Sequence, residues 1–216
     1  MSTKFFTNTE ENTLIKKFEG VFSYNPKIHH FDALVGYFRA SGYFRVRPFL
    51  DNVSEIRILV GINIDRLLEN AYLQGYEFFK NHEKTRDEFL QELKKDIDSA
   101  NYDKETEEGI LQFFDDLISK KIQLRAHPDK KIHAKLYILR PVPFNQNTLS
   151  LAITGSSNFT DAGLGTTPES NYEFNVQLND YDEVKFATDE FEKLWAESVE
   201  ILPIDIQKVK KQTYLN

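Results

Sequence analysis

Two short segments constrain this chain more than anything else in it. Ile132-His133-Ala134-Lys135-Leu136-Tyr137-Ile138-Leu139 alternates with the period of a β-strand. His133 and Lys135 therefore share one face, while Ala134, Leu136 and Ile138 alternate with them. Neighbours two apart on a strand face stand roughly 7 Å from each other, close enough to share one phosphate. Leu149 to Thr154 then reads as a second, apolar strand that stops at Gly155-Ser156-Ser157-Asn158, a turn rich in small donors. A nucleophile or acid, a fixed cation and a cradle of hydroxyl and amide groups are what phosphoryl transfer draws on when protein groups alone supply the chemistry.

The rest of the chain supplies a scaffold for such a site. Residues 9 to 20 have the spacing of an opening helix, with Leu14, Ile15 and Phe18 on one face and Gly20 as its stop. Ala33 to Phe38 reads as a buried strand running into Arg39-Ala40-Ser41-Gly42, and Tyr43 to Leu50 as a helix that Pro48 shortens or kinks. Ser41 and Gly42, at a helix start, could offer backbone N–H groups to an anion or simply cap the helix. Glu55 to Ile62 is apolar enough for a strand covered on both faces. Residues 65 to 121 read as a long helical stretch with a polar break near Asp98 to Lys104. Ile122 to Arg125 is a short strand, with His127 as a turn residue beyond it. A Gly-rich loop covers Thr160 to Pro168, Tyr172 to Leu178 is a strand, and Asp182 to Ser198 is an amphipathic helix anchored by Phe186, Phe191, Leu194 and Trp195. This order implies an α/β sandwich, a mixed sheet flanked by helices.

Composition limits the functional classes. At 216 residues, 40% apolar, with 18 phenylalanines, the chain can fill one ordinary core. It has no cysteine, and neither its start nor any later run matches a signal peptide or a membrane span, so a cytoplasmic protein is expected. The net charge is −7 but unevenly spread. Acids dominate from Arg86 to Asp116. From Lys120 to Arg140, Lys120, Lys121, Arg125, Lys130, Lys131, Lys135 and Arg140 face only Asp129. A basic stripe near the motif suits local binding of a phosphodiester. The five histidines lack the spacing of a metal site, and Gly163 to Gly165 is not followed by the Lys-Ser/Thr of a P-loop, so neither metal nor cofactor is expected.

Together the two segments resemble the signature of the phospholipase D superfamily, His-x-Lys followed by Gly-Ser-x-Asn. His133, Lys135, Gly155, Ser156 and Asn158 match it, and Glu173 falls where these enzymes often carry a carboxylate that orients the histidine. The signature's Asp, five residues after the Lys, is replaced by Arg140, read as plain surface rather than an added phosphate contact; many nuclease-type members lack that Asp, and the loop before Gly155 is longer than the strict spacing. The resemblance implies a phospholipase D-like sandwich over residues 1–202, with 203–216 as a tail or linker. It also implies catalytic roles for His133, Lys135 and Glu173, and phosphate-binding roles for Ser156, Asn158, Gly155 and Ser41. The layout is similar to the nuclease-like domain ahead of a helicase motor in some bacterial proteins, which makes a C-terminal helicase domain a candidate partner.

The family uses two His-x-Lys elements around one site. One imidazole forms a phosphohistidine, and the other protonates the leaving oxygen and then activates water. Here His82-Glu83-Lys84 has the spacing but sits in a hydrophilic helical segment, where residues two apart point in different directions. His29-His30 lacks the lysine. The resemblance therefore implies a homodimer that shares one active site across a two-fold axis. The leading expectation is a metal-independent phosphodiesterase acting on DNA as an endonuclease. Its alternatives are a module that grips a DNA backbone without cutting it, and an enzyme for phospholipids or small phosphodiesters.

Overall fold

The computed structural model describes residues 3–9, 12–61, 82–98, 104–128, 132–167 and 171–211. Among them eight strands form one sheet: Phe5–Thr7 (β1), Ile28–Val35 (β2), Glu55–Gly61 (β3), Ile122–His127 (β4), Lys135–Pro141 (β5), Leu151–Gly155 (β6), Phe174–Leu178 (β7) and Val199–Glu200 (β8). Their order is β1-β7-β6-β5-β2-β3-β4-β8. The β2/β3 and β3/β4 pairs are parallel and the others antiparallel, so the sheet is mixed, as the element order requires. No described helix is long and apolar enough to cross a membrane.

Strand alternation divides the core in two. Phe31, Ala33 and Val35 of β2, Ile56, Ile58 and Val60 of β3, and Tyr137 and Leu139 of β5 face a large aromatic-rich cluster. Three helices supply much of its other side: Leu14–Tyr24 (α1), Ala40–Val46 (α2) and Lys104–Ile118 (α4). Within it Phe18, Phe31, Tyr137 and Phe159 meet edge-to-face at 5.3 to 6.2 Å, the geometry that ring quadrupoles favour. Leu34, Leu59, Ile138 and Ala152 face the other way, against Val184, Phe191 and Trp195 of helix Tyr181–Glu197 (α6).

Local expectations were met unevenly. The opening helix starts later, behind a Thr13 cap whose hydroxyl accepts from Lys16 N, and runs through Gly20 to Tyr24. Gly20 does not end it because the helical backbone continues and open space lies where a Cβ would be. Pro48 acts as anticipated, since α2 gives way at Arg47 to a 3-10 turn that contains it. In α6, Phe186 is exposed rather than an anchor, and Val184 and Thr188 are buried in its stead. Residues 65–81 of the long helical stretch lie outside the described residues; beyond them the helix His82–Asp98 (α3) precedes α4. A short capped helix, Asp161–Leu164 (α5), interrupts the Gly-rich loop. Pro203–Lys210 forms a further helix (α7) whose Ile206 is buried in the main core, so this stretch of the expected tail packs on the domain.

His127 is the last residue of β4 and buried, not in a turn. Nor does the basic stripe make one surface. Lys121 donates to Val53 O (2.8 Å), Arg125 to Trp195 O (2.8 Å) and Arg140 to Asp32, while Lys135 is buried. Lys130 and Lys131 lie outside the described residues.

Candidate active site

The topology gathers the motif segments at one end of the sheet. Parallel alignment puts the C-terminal ends of β2, β3 and β4 there, and antiparallel pairing adds the starts of β5 and β7 and the end of β6. Val35 pairs with Lys135, Leu136 with Thr154, and Gly155 with Asn175. Ligands of open α/β sheets bind outside such strand ends.

β5 begins at Lys135, later than the Ile132 start that the alternation suggested, so His133 stands on the approach to the strand. Gly36 fixes that approach. A Cβ on it would lie 2.9 Å from Ile132 O and 3.3 Å from His133 Cα, so the bare backbone of residue 36 lets the segment lie against β2. Gly61 does the same from β3, where a Cβ would lie 2.8 Å from Ile132 Cβ. The His133 imidazole is exposed and makes no hydrogen bond within the described residues. Lys135 is buried, and its Nζ turns back to donate to His133 O at 2.8 Å. Burial lowers the Lys135 pKa, and the charge of Glu173 partly offsets the shift.

Glu173 is buried just ahead of β7. Its carboxylate accepts from Ser156 Oγ, and its backbone N–H donates to Asn8 Oδ1 (2.9 Å). Ser156 Oγ also accepts from Phe174 N at 3.0 Å, which commits that hydroxyl to joining the β6 turn to β7. Glu173 thus meets Ser156 and acts on Lys135, and it makes no hydrogen bond to His133. Gly155 ends β6, where a Cβ would overlap Phe174 O and Asn175 Oδ1. Asn158 Oδ1 accepts from Tyr37 N at 3.0 Å, so its amide nitrogen is the end turned away from that bond. Ser41 lies in the first turn of α2, whose Gly42 abuts Phe159 and Thr160 closely enough that a Cβ would be 2.7 Å from Phe159 O. Arg39 N reinforces this by donating to Phe159 O at 3.0 Å. The motif residues therefore converge on one strand-end surface. His82 and Lys84 belong to α3 rather than to a strand.

Three supporting residues escaped the sequence reading. Tyr137 is fully buried and donates to Ser157 O (2.9 Å), and burial raises its pKa well above the ordinary phenol value. Asn175, also buried, donates through Nδ2 to Ser157 Oγ (2.9 Å). Their signal was available, because each lies two residues beyond a motif residue on the same strand face, Tyr137 after Lys135 and Asn175 after Glu173. Asn8 carried no such signal, since its partner is 165 residues away.

A family model described as cardiolipin synthase, PLD-like domain, matches residues 54–195. No curated protein sequence matches the chain. Among solved structures it is similar to Nuc, a phospholipase D family member from Salmonella typhimurium, at 13% identity and a TM-score of 0.53, covering 93% of this chain and 98% of that one. It is also similar to polyphosphate kinase from Porphyromonas gingivalis, at 12% identity and a TM-score of 0.52, covering 89% of this chain and 26% of that one. Phosphatidylserine synthase from Haemophilus influenzae Rd KW20 follows at 13% identity and a TM-score of 0.51, covering 96% and 44%. At these identities the likeness is one of fold. The family match extends over most of the chain, which belongs to the phospholipase D-like domain family.

Proposed function

We propose that this phospholipase D-like domain is a DNA phosphodiesterase in which His133 is the reacting group and two copies complete one active site. The observation that carries the reading is the pairing of an exposed, uncommitted imidazole at His133 with a buried ammonium two residues on. Histidine ionises near neutral pH, and a cation withheld from water acts strongly on a phosphoryl oxygen. The described sheet edge offers one such pair per chain, whereas a nucleophile and a leaving-group acid are two roles.

In the proposed reaction one His133 attacks phosphorus. The N–P bond forms, the P–O bond to the leaving oxygen breaks, and the second copy's His133 gives that oxygen its proton. Water then attacks the phosphohistidine and loses its proton to the same second imidazole. The N–P bond breaks and the phosphate monoester departs. Lys135 from each copy, with the Asn158 amide, neutralises the equatorial oxygens. Glu173 supports this by holding Ser156 and by favouring the charged form of Lys135.

The test is cleavage of single- and double-stranded DNA in EDTA by the wild-type protein and by His133→Ala. Loss of at least about 10²-fold in the variant is expected for removal of a group that works in proton transfer or attack. Mixing tests the shared site. With equal amounts of wild type and inactive variant, randomly exchanged dimers leave about a quarter of the activity, and independent monomers about half. DNA binding without cleavage by either protein would leave the backbone-gripping module as the reading.

A further inference from the structure

Two aromatic residues stand open to solvent beside the motif residues, Tyr37 (47% exposed) and Tyr172 (70%). Each is joined to the site through its backbone. Tyr37 N donates to Asn158 Oδ1, and Tyr172 directly precedes Glu173, whose N–H donates to Asn8 Oδ1. In the sheet order they lie on either side of His133, Tyr37 beyond the end of β2 and Tyr172 just ahead of β7, with β5 and β6 between. Three strand spacings separate β2 from β7, about 14 Å. Neighbouring side chains hold the rings' backbones: Phe38, Phe159, Glu173 and Asn175 are all buried. Phe174, also exposed, packs on Phe5 at 5.4 Å between centroids on the opposite face of β7, and the Arg39 guanidinium lies 5.5 Å from the Tyr37 ring.

Large apolar rings at the rim of a polar, cation-bearing cleft match a ligand that alternates phosphates with planar apolar faces. Resting on the phosphodiesterase reading above, we infer that Tyr37 on one side of His133, and Tyr172 on the other, stack the unpaired bases of a single strand whose phosphate lies at His133. Duplex DNA keeps its base faces stacked inside and offers these rings nothing, whereas base–aromatic stacking is the main sequence-tolerant grip on single strands. The site therefore prefers single-stranded nucleic acid, and the rings set which phosphate reaches the imidazole.

The test uses the full chain and Tyr37→Leu and Tyr172→Leu, which keep apolar bulk and remove the ring face. A fluorescent 20-nucleotide single strand and its duplex are titrated in EDTA, and turnover of methyl p-nitrophenyl phosphate is measured alongside. Each substitution should weaken single-strand affinity roughly tenfold or more, leave duplex affinity within about twofold, and spare turnover of the small diester. Unchanged single-strand affinity with intact turnover overturns the platform while leaving the phosphodiesterase reading in place. Absence of turnover in the wild type instead removes the reading beneath it. If sedimentation shows that affinity falls only as the variants lose a dimer, the rings form a self-association surface and the inference fails.

Discussion

Arg140 donates through Nη2 to Asp32 Oδ2 at 2.6 Å, on the face of the sheet opposite Lys135. Asp32 is wholly buried and is also held bidentately by Arg57, which reaches Glu192 on α6 and lies over the Phe191 and Trp195 rings. The position where the family signature carries a carboxylate is thus a cation here, and its countercharge comes from the neighbouring strand. This corrects the reading of Arg140 as plain surface, and it places the departure from the signature in the α6 layer, away from the reacting groups.

Arg140 should therefore matter for stability and little for chemistry. Arg140→Ala removes one of two partners of Asp32 and is expected to cost about 1–3 kcal/mol in urea unfolding. Arg140→Asp sets two carboxylates together beneath α6 and should cost more, about 3–5 kcal/mol. In the folded fraction of either variant, kcat should stay within a few-fold of wild type. A drop of 10²-fold in folded Arg140→Ala would instead put the guanidinium at the substrate.

Gly36 is expected to behave in the opposite way. A methyl group there meets backbone, Ile132 O and His133 Cα, and backbone cannot swing aside as a flexible side-chain end does. The segment carrying His133 must shift by a few tenths of an ångström or more, and reacting groups tolerate such displacement poorly. Gly36→Ala should lower kcat about 10–100-fold while costing about 1–2 kcal/mol in stability. Nuclease assays and urea titrations on the same preparations separate the two effects.

These two positions also show where sequence was enough and where it was not. Period-two alternation identified β5, and apolar runs identified β3, β6 and the last residues of β2, which begins at Ile28 rather than Ala33. Alternation also put His133 and Lys135 on one face, whereas the strand begins only at Lys135. Contacts between distant segments left no local trace: Arg140 meets Asp32 across 108 residues and Asn8 meets Glu173 across 165. Gly20 and Gly36 look alike as letters, and only the backbone that packs beside Gly36 tells them apart. Phe186 had the spacing of an anchor, but Val184 and Thr188 take the buried positions of that part of α6 and leave it exposed.

The link between α2 and α4 is a second buried polar unit with consequences for the site. Tyr43 Oη and Arg47 Nε both donate to Asp116 Oδ2, at 2.9 and 2.6 Å, and Gln112 donates to Oδ1 at 3.0 Å. Burial and the neighbouring carboxylate hold the Tyr43 hydroxyl far above its usual pKa, so it remains a donor at any working pH. Asp116→Ala strands the buried Tyr43 hydroxyl and leaves the Arg47 guanidinium with Asp51 alone, and should destabilise the fold by about 2–4 kcal/mol. Tyr43→Phe removes one donor and leaves Arg47 and Gln112 in place, so about 1 kcal/mol is expected. The paired unfolding curves check the order of the two effects.

The alkaline limb of the pH–rate profile should report Lys135 through Glu173. Burial lowers the Lys135 pKa and Glu173 opposes that shift. Glu173→Gln keeps an oxygen to accept the Ser156 hydroxyl but removes the charge, so the Lys135 pKa must fall further. If the ammonium binds phosphate, kcat/KM declines as pH rises through the folded pKa, and the variant's decline begins at lower pH than that of wild type. Stability runs the other way. A lysine whose folded pKa is depressed binds more protons when unfolded, so between the depressed folded value and the ordinary lysine value this residue's contribution to stability rises with pH. Profiles of kcat/KM and of urea midpoints from neutral to alkaline pH should therefore diverge, with activity falling where this component of stability grows. Coincident alkaline limbs for wild type and Glu173→Gln would show that the Lys135 charge does not limit the reaction.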